Sequence, residues 1–526
     1  MTARPRFYIT TPIYYVNDVP HIGHMYTTLA CDTIARFKRL DGFDVRFLTG
    51  TDEHGQKVQK AADAAGIAPQ AFTDRVSANF RDLAGLMGFS NDDFIRTTEP
   101  RHKRSCAALW QRLAERGQIY LKTYGGWYAV RDEAFYAEDE VTRNAAGERI
   151  APTGAPVEWV EEPSYFFRLS DWQEPLLRFY EEHPDFIQPT SRRNEVISFV
   201  RGGLQDLSIS RTTFDWGVPV PGDPAHVMYV WLDALTNYIT AVGFPDTDSE
   251  MFARWWPADL HMVGKDIVRF HAVFWPAFLM AADLAPPRRV FAHGWWTNEG
   301  QKISKSLGNV IDPRELVERY GLDAVRYFMM REVPFGQDGD FSHRAMVGRI
   351  NGDLANDFGN LAQRVLTMIG RYCDGRMPIP SGFSEVDTEL LDAAADLLPK
   401  LRGHMDRQTL HTGLIDMWAV ISTANGYVAR QAPWTLRKTN PPRMQTVLFV
   451  CAETLRRLAL LAQPFMPDAA ARMLDQLCVP ADQRTFAAMT ADHAVLPGTV
   501  LPPPAGIFPR YVDKTENGTT AEVSPG

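Results

Sequence analysis

Two imidazoles and two ammonium groups, carried by two short motifs far apart in the chain, are the groups here best suited to handling a polyanion. The first motif is His21-Ile22-Gly23-His24 and the second is Lys302-Ile303-Ser304-Lys305-Ser306. A pair of histidines at a helix N-terminus, with a glycine between them that admits close backbone approach, suits a polyphosphate. The second motif adds two cations and two hydroxyls on a loop flanked by Gly300 and Gly308. Either motif alone is weak, since a His-x-Gly-His run is commonly a surface turn and a Lys/Ser loop is commonly just solvated. Taken in order, and with the placement described next, they describe a nucleotide site assembled from two distant segments.

The elements that must position them follow from residue spacing. Arg6-Phe7-Tyr8-Ile9-Thr10 alternates and is rich in β-formers, so it reads as a strand. The helix after it places Tyr26, Leu29, Ala30, Thr33, Ile34 and Phe37 on one face, with Gly42 as its stop. Strand Val45–Leu48 and a helix over 54–65 continue the β-α-β rhythm of a parallel sheet. From 116 to 225 short aromatic stretches such as Gly126–Val130 alternate with acidic turns, the pattern of an insertion. Helical spacing resumes near Val227, and Arg289–His293 reads as a strand before the lysine loop. The stretches 386–403, 411–430 and 443–463 predict an α-helical bundle. The expected organisation is therefore a first catalytic half over 1–115, a connective insertion over 116–225 and a second catalytic half over 226–300. A lysine-loop region over 301–345, a helical domain over 346–508 and a flexible tail over 509–526 complete it.

Composition narrows the class. At 526 residues the chain exceeds what one core holds. Its 45% hydrophobic and 23% charged residues are ordinary for a globular protein. No apolar run approaches the roughly 20 residues that span a bilayer, and Met1–Pro5 has no signal-peptide core. Five scattered cysteines indicate no disulfide framework and fit a reducing cytoplasm. The net charge of −9 argues against indiscriminate nucleic-acid coating. One local basic stretch, 426–460, sets Arg430, Arg437, Lys438, Arg443, Arg456 and Arg457 against Glu453 alone. It reads either as an RNA-facing surface or as a solvated helical face.

Two aromatic stripes could build a side-chain pocket. Trp231, Ala234, Leu235 and Tyr238 share one helical face, and Ile267, Phe270, His271, Phe274 and Trp275 share another. Plain core is the alternative for both stripes, although each carries a polar ring.

The two motifs resemble the signatures of class I aminoacyl-tRNA synthetases, which activate an amino acid with ATP on a Rossmann-type fold. Trp-Leu-Asp-Ala at 231–234, with Tyr238 seven residues beyond Trp231, and Gly264-Lys265-Asp266-Ile267-Val268-x-Phe270-His271 are more specific. They make nearly the whole chain similar to the methionyl-tRNA synthetase family. That resemblance implies an α/β Rossmann-type parallel-sheet catalytic domain with an inserted connective domain, followed by an α-helical bundle that binds the anticodon. It implies that Ile13, Tyr15, Trp231, Ala234, Leu235, Tyr238, Ile267, Phe270, His271 and Trp275 line the methionine site, with Asp52 on the substrate ammonium and Arg211 as a cationic partner. An N-cap role for Asp52 and a surface ion pair for Arg211 are the alternatives. His21, Gly23, His24, Lys302 and Lys305 would serve the phosphates of ATP, accompanied by Mg²⁺. Gly264 and Asp266 would contact the adenosine, and Trp296 would pack near adenine. Asn356, Asn360 and Arg364, with Trp434, match the family's anticodon-reading residues, and stacking of splayed bases on aromatics is how single-stranded RNA is read. The expected partners are methionine, ATP, and initiator and elongator tRNA(Met), used by a cytoplasmic monomer with no membrane.

Two departures stand out. Leu235 replaces a proline common in relatives, and the zinc knuckle many relatives carry is excluded because no cysteine lies between Cys106 and Cys373. No structural metal is expected. The competing readings are a small-substrate nucleotidyltransferase, which needs no tRNA-reading half, a catalytically dead RNA-binding paralogue, and another class I specificity such as leucine or cysteine.

Overall fold

The computed structural model describes residues 4–16, 19–132, 134–303, 308–514 and 520–521. The chain forms two compact units, one of Met1–Pro5, His21–Val45 and Gly294–Gly526, the other of Arg6–Pro20 and Arg46–His293. The expected serial division is thus interrupted, because helix α1 (Ile22–Leu40) groups with the C-terminal half.

The second unit is built on a seven-stranded sheet. Its strands are β1 (Arg6–Thr10), β2 (Tyr14–Tyr15), β3 (Asp44–Asp52), β4 (Asp93–Arg96), β5 (Ile187–Gln188), β6 (Leu260–Gly264) and β7 (Val290–His293). The order is β5-β7-β6-β1-β3-β2, with β4 also on β3. The β1–β6, β6–β7, β5–β7, β2–β3 and β3–β4 pairings are parallel. A central parallel strand is covered on both faces, so β3 is buried continuously from Phe47 onward instead of alternating. Gly50 is required there, since a Cβ would stand 2.0 Å from the Ile95 carbonyl oxygen of β4. Helix α2 (Pro100–Glu115) packs Cys106, Leu109, Trp110 and Leu113 into the same core.

Three details depart from the sequence expectation. β5 lies inside the stretch expected to be wholly insertion, and Leu176, Tyr180, Val196 and Val200 of its flanking helices enter the main core. A two-residue strand is too short to show a period of two. The insertion proper is an antiparallel sheet in the order Leu207–Ser208, Glu158–Phe167, Ile119–Ala129 and Ala134–Tyr136. Second, the helix expected from Val227 begins only at Val230, after a strand ending at Met228, and breaks at Thr236 into α3 (Val230–Leu235) and Asn237–Thr240. Third, the segment after Asp266 is a 3₁₀ turn (Lys265–Ile267), a π-helical turn (Phe270–Phe274) and a short α-helix (Trp275–Ala281).

The first unit is mostly helical: α4 (Leu322–Arg331), α5 (Asn360–Tyr372), α6 (Glu385–Ala395), α7 (Leu397–Asp406), α8 (Leu410–Gln431), α9 (Pro433–Thr439) and α10 (Pro441–Ala462). α10 is buried continuously from Thr446 to Ala462, so its apolar residues are not confined to one face and its charges there, Glu453, Arg456 and Arg457, pair with one another. α1 buries Tyr26, Leu29, Ala30, Thr33, Ile34 and Phe37 as its periodicity predicts, and Gly42 follows it at φ 86°. Ion pairs tie α1 to the bundle: Asp32 to Arg326 (2.7 Å), Lys38 to Asp406 (2.7 Å) and Asp41 to Arg402 (2.6 Å). The start of the supposed tail is anchored: the Tyr511 N–H donates to Asn351 (2.8 Å), and Asp513 lies 3.2 Å from His343. No helix among the described residues is long and apolar enough to cross a membrane.

Candidate active site

In the first unit the first motif opens helix α1. His21 is the N-cap of α1 and forms a reciprocal capping box with His24. The Gly23 N–H donates to His21 Nδ1 (3.1 Å), and the His21 N–H donates to His24 Nδ1 (3.2 Å). Each Nδ1 therefore accepts, which places the proton of each neutral ring on Nε2 and makes that nitrogen a donor. Loss of hydration, reinforced by His21 beside it, holds the His24 pKa well below the ordinary value, so His24 is a neutral donor. The backbone contribution is smaller than expected, because the Gly23 N–H is occupied by His21 and the Ile22 N–H donates to the Ile311 carbonyl (3.2 Å). That last bond joins α1 to the segment just beyond the lysine loop. Lys302 is exposed on a hairpin with Thr297, turned by Glu299 and Gly300, both at positive φ, and Asn309 closes it on the Lys302 carbonyl (3.1 Å). Ser304, Lys305 and Ser306 lie outside the described residues. Trp296 is more enclosed than a side chain open to a base. It is 7% exposed, with its ring against Tyr26 (5.4 Å) and Phe328 (6.0 Å).

The second unit gathers the two aromatic stripes. Trp231 stacks on Phe270 at 3.4 Å, and the Tyr238 hydroxyl lies 2.7 Å from His271 Nε2. His271 Nδ1 is 3.0 Å from the Ile267 carbonyl and must donate to it, so Nε2 accepts from Tyr238. Burial pushes the His271 pKa down to about 4, outweighing the Ile267 bond and the Asp266 charge that raise it. The pair is neutral, and its wall suits an uncharged, polarisable side chain. His261 completes the wall, stacked on Tyr238 at 4.1 Å, with Thr10 at Nδ1 (2.7 Å) and the Trp275 indole donating to Nε2 (3.3 Å). Ile13, Tyr15, Trp231, Ile267 and Phe270 keep accessible surface, and Ala234 is 6% exposed. Leu235 and Trp275, at 1% and 0% exposure, are as buried as Tyr238 (1%) and His271 (2%), so burial does not divide the stripes into wall and core. Gly264 belongs to this unit too, and a Cβ on it would stand 2.5 Å from Asp266 Oδ1, so glycine lets the carboxylate fold back.

Asp52 ends β3, paired with Tyr15 and 5% exposed, and it is not an N-cap, because the next helix starts at Gln56 behind Gly55. The residues after it are anchored firmly. Glu53 accepts from Arg96 (2.6 and 2.9 Å), Thr98 (2.5 Å) and Thr51 (2.7 Å), and the Trp216 indole donates to its carbonyl (2.6 Å). His54 Nδ1 lies 2.7 Å from Asp233 Oδ2, and His102 Nε2 lies 2.7 Å from Asp233 Oδ1. Burial alone would raise the Asp233 pKa, but the charges and hydrogen bonds of His54 and His102 outweigh it and hold the carboxylate far below its usual range. Sequence reasoning missed this network. Its only signal was an acid inside the Trp-Leu-Asp-Ala run and a histidine two residues past Asp52. His102, Cys106 and Asp233 are also the group of metal-capable donors among the described residues. The 2.7 Å His–Asp separation is a hydrogen bond, shorter than the roughly 3.3 Å that ligands about 2.0–2.1 Å from one tetrahedral zinc would keep.

Arg211 differs from expectation. It is 2% exposed, donates to Ser208 (2.7 Å) and the Ser210 carbonyl (2.7 Å), lies 3.6 Å from Glu162, and stacks 3.6 Å over Tyr229. So placed, the buried guanidinium braces the connective sheet and is not a surface ion pair.

In the helical region Trp434 is 43% exposed, so it is not a core tryptophan. Ala432 in the left-handed region (φ 45°) ends α8, and Pro433 starts α9, which presents the ring. Asn356 and Asn360 are exposed and Arg364 is half-buried, with Asn356 accepting from Arg510 (2.5 Å). The basic stretch shrinks. Arg456 and Arg457 are buried on Glu453 (2.7 and 2.8 Å), and Arg443 is paired with Asp387 (2.8 Å), leaving Arg430, Arg437 and Lys438 exposed.

Comparison with known proteins completes the picture. The family described as tRNA synthetases class I (M) matches residues 7–366, and the anticodon binding domain of methionyl tRNA ligase matches residues 377–524. The methionine–tRNA ligase of Mesorhizobium japonicum is 58% identical over 97% of this chain and 99% of its own. That of Brucella suis is 58% identical over 98% of this chain and 99% of its own. The Mycobacterium tuberculosis methionyl-tRNA synthetase solved in complex with methionyl-adenylate superposes with a TM-score of 0.94 at 55% identity, covering 97% of this chain and all (100%) of that one.

Proposed function

The chain belongs to the class I methionyl-tRNA synthetase family, and from that premise we propose how its residues divide the work. It activates methionine with ATP and transfers the methionyl group to tRNA. In the first step a methionine carboxylate oxygen attacks the α-phosphorus of ATP, forming methionyl-adenylate and expelling pyrophosphate. In the second the terminal ribose hydroxyl of the tRNA takes the acyl group, and AMP leaves with the bonding electrons. Neither step needs a protein nucleophile. Positioning and neutralisation of developing charge are enough.

The proposal assigns phosphate contacts to the Nε2 donors of His21 and His24, and charge neutralisation to Lys302 and Lys305. Mg²⁺ enters with ATP as its counter-ion. Gly264 and Asp266 take the adenosine, and Asp52 takes the substrate ammonium. The observation that carries the amino-acid assignment is the neutral Tyr238–His271 pair in an aromatic wall. A thioether gains roughly 0.3–1.5 kcal/mol per sulfur–ring contact, and a neutral pair leaves nothing to compensate a charged side chain. Trp434, Asn356, Asn360 and Arg364 read the anticodon of initiator and elongator tRNA(Met). The remaining parts of the proposal are a cytoplasmic monomer and a zinc-free chain, the last supported by the lack of any cysteine between Cys106 and Cys373.

ATP–pyrophosphate exchange across the amino acids tests the reading, with methionine expected to give the highest kcat/KM. A higher value for leucine or cysteine would overturn it. Lys305→Ala is expected to slow adenylate formation by roughly 2.7–4 kcal/mol of transition-state stabilisation with little change in methionine affinity. Elemental analysis showing one zinc per chain, or light scattering at twice the 59.3 kDa chain mass, would refute the finer points.

A further inference from the structure

The Asp233 carboxylate joins the two parts proposed for the amino-acid site. It sits on α3 between Trp231, half of the stacked aromatic wall, and Ala234, and it is 1% exposed. One oxygen receives His54, two residues beyond Asp52, and the other receives His102 on α2, which is 0% exposed. Cys106, one helical turn after His102, closes the cluster at 3.2 Å from its ring. His54 thereby ties the Asp52 segment to α3, and His102 ties α3 to α2, in a buried network whose members constrain one another.

We propose that Asp233 is a positioning residue for amino-acid recognition: through His54 it fixes the distance between the ammonium site at Asp52 and the side-chain wall at Trp231 and Ala234. This rests on the reading of Asp52 as the ammonium partner. The role predicts a ligand-selective defect. A substrate analogue that uses both sites loses affinity when their separation drifts, and an analogue without an ammonium group does not.

The test uses the full chain with two competitive inhibitors of ATP–pyrophosphate exchange, L-methioninol, which has the ammonium, and 4-(methylthio)butanoate, which lacks it. Asp233→Asn keeps the shape but removes the charge, and it can accept from only one of the two imidazoles. It is expected to weaken methioninol roughly ten- to a hundredfold, the scale of a displacement of about 1 Å, while 4-(methylthio)butanoate changes little. His54→Ala is expected to reproduce that pattern and to be non-additive with Asp233→Asn. His54→Asn, whose amide can donate to Asp233 where Nδ1 stood, is expected to restore the methioninol preference. It also carries the test if Asp233→Asn folds poorly. Equal loss of both inhibitors, additive effects, or an unchanged preference in Asp233→Asn and His54→Ala would overturn the proposal. Asp52→Asn separates the two levels. If it keeps the methioninol preference the ammonium reading itself is wrong. If it abolishes the preference while Asp233→Asn and His54→Ala retain it, only the positioning role falls.

Discussion

Trp434→Ala is expected to separate tRNA use from amino-acid activation. The ring is 43% exposed at the start of α9, beside the exposed Arg430, Arg437 and Lys438. A base stacked on an aromatic ring contributes roughly 1–3 kcal/mol, which is about 5- to 150-fold in kcat/KM for tRNA. Trp418, in α8 of the same bundle, supplies the contrast. It is 9% exposed, its indole donates to the Asp353 carbonyl (3.1 Å), and its ring packs on Tyr327 (4.6 Å) and Phe358 (5.8 Å). Trp418→Ala empties a core site and is expected to destabilise by roughly 3–5 kcal/mol. Three assays distinguish the two variants: thermal unfolding, pyrophosphate exchange, and aminoacylation of tRNAs with methionine and non-methionine anticodons. Trp434→Ala is expected to keep its exchange rate and unfolding profile, to aminoacylate poorly, and to reject the wrong anticodon less sharply. Unfolding like that of Trp418→Ala, loss of exchange, or normal aminoacylation would refute the stacking argument.

Other outcomes follow from the same geometry. In Gly23→Ala the new Cβ meets His21 Cε1 at 3.0 Å and Nδ1 at 3.2 Å, so the capping imidazole must move, and exchange is expected to fall roughly tenfold or more with methionine KM unchanged. An unaltered rate would show that the His21 ring position is not critical. His271 is neutral in the fold down to about pH 4, whereas its ordinary value is 6.5. Its folded pKa is the lower one, so its stability contribution is complete above pH 6.5 and is lost toward pH 4, at up to about 1.4 kcal/mol per unit. His271→Gln is therefore expected to lose less stability than the parent chain between pH 7 and 5, and parallel denaturation curves would contradict this. Arg326, which donates to Asp32 (2.7 Å) and to the Pro464 (2.9 Å) and Phe465 (3.0 Å) carbonyls with both charged partners 0% exposed, is expected to destabilise by roughly 3–5 kcal/mol as Arg326→Met. Asp32 keeps Arg36 (2.8 Å), so the loss is expected to come mainly from the stranded Pro464 and Phe465 carbonyls and to persist in Asp32→Leu/Arg326→Met; recovery in the double variant would show instead that the carboxylate had been left uncompensated.

Where a pattern is long and local, the sequence was enough to determine the element. α1 repeats its apolar face over five turns and carries its own cap and stop, and α8 and α10 are equally legible, because helical period and capping depend on neighbours within a few residues. The placement of His21 and His24 at the N-terminus of α1 was legible for the same reason. Short elements were not. Ile187–Gln188 has no room for a period, and the π-helical turn at Phe270–Phe274 re-spaces a stripe that counting treats as α-helical.

The tertiary structure alone decided which side chains are occupied. Arg211, Arg443, Arg456 and Arg457 read as available cations along the chain, yet each has a carboxylate beside it, and Glu162 and Asp387 lie far from their arginines in sequence. Trp296 and Trp434 are equivalent as letters, but Tyr26 and Phe328 cover one and solvent reaches the other. The Asp233 network draws on three separated segments, so no window of sequence contains it. Burial and charge pairing are set by neighbours through space, and folding alone brings those neighbours together.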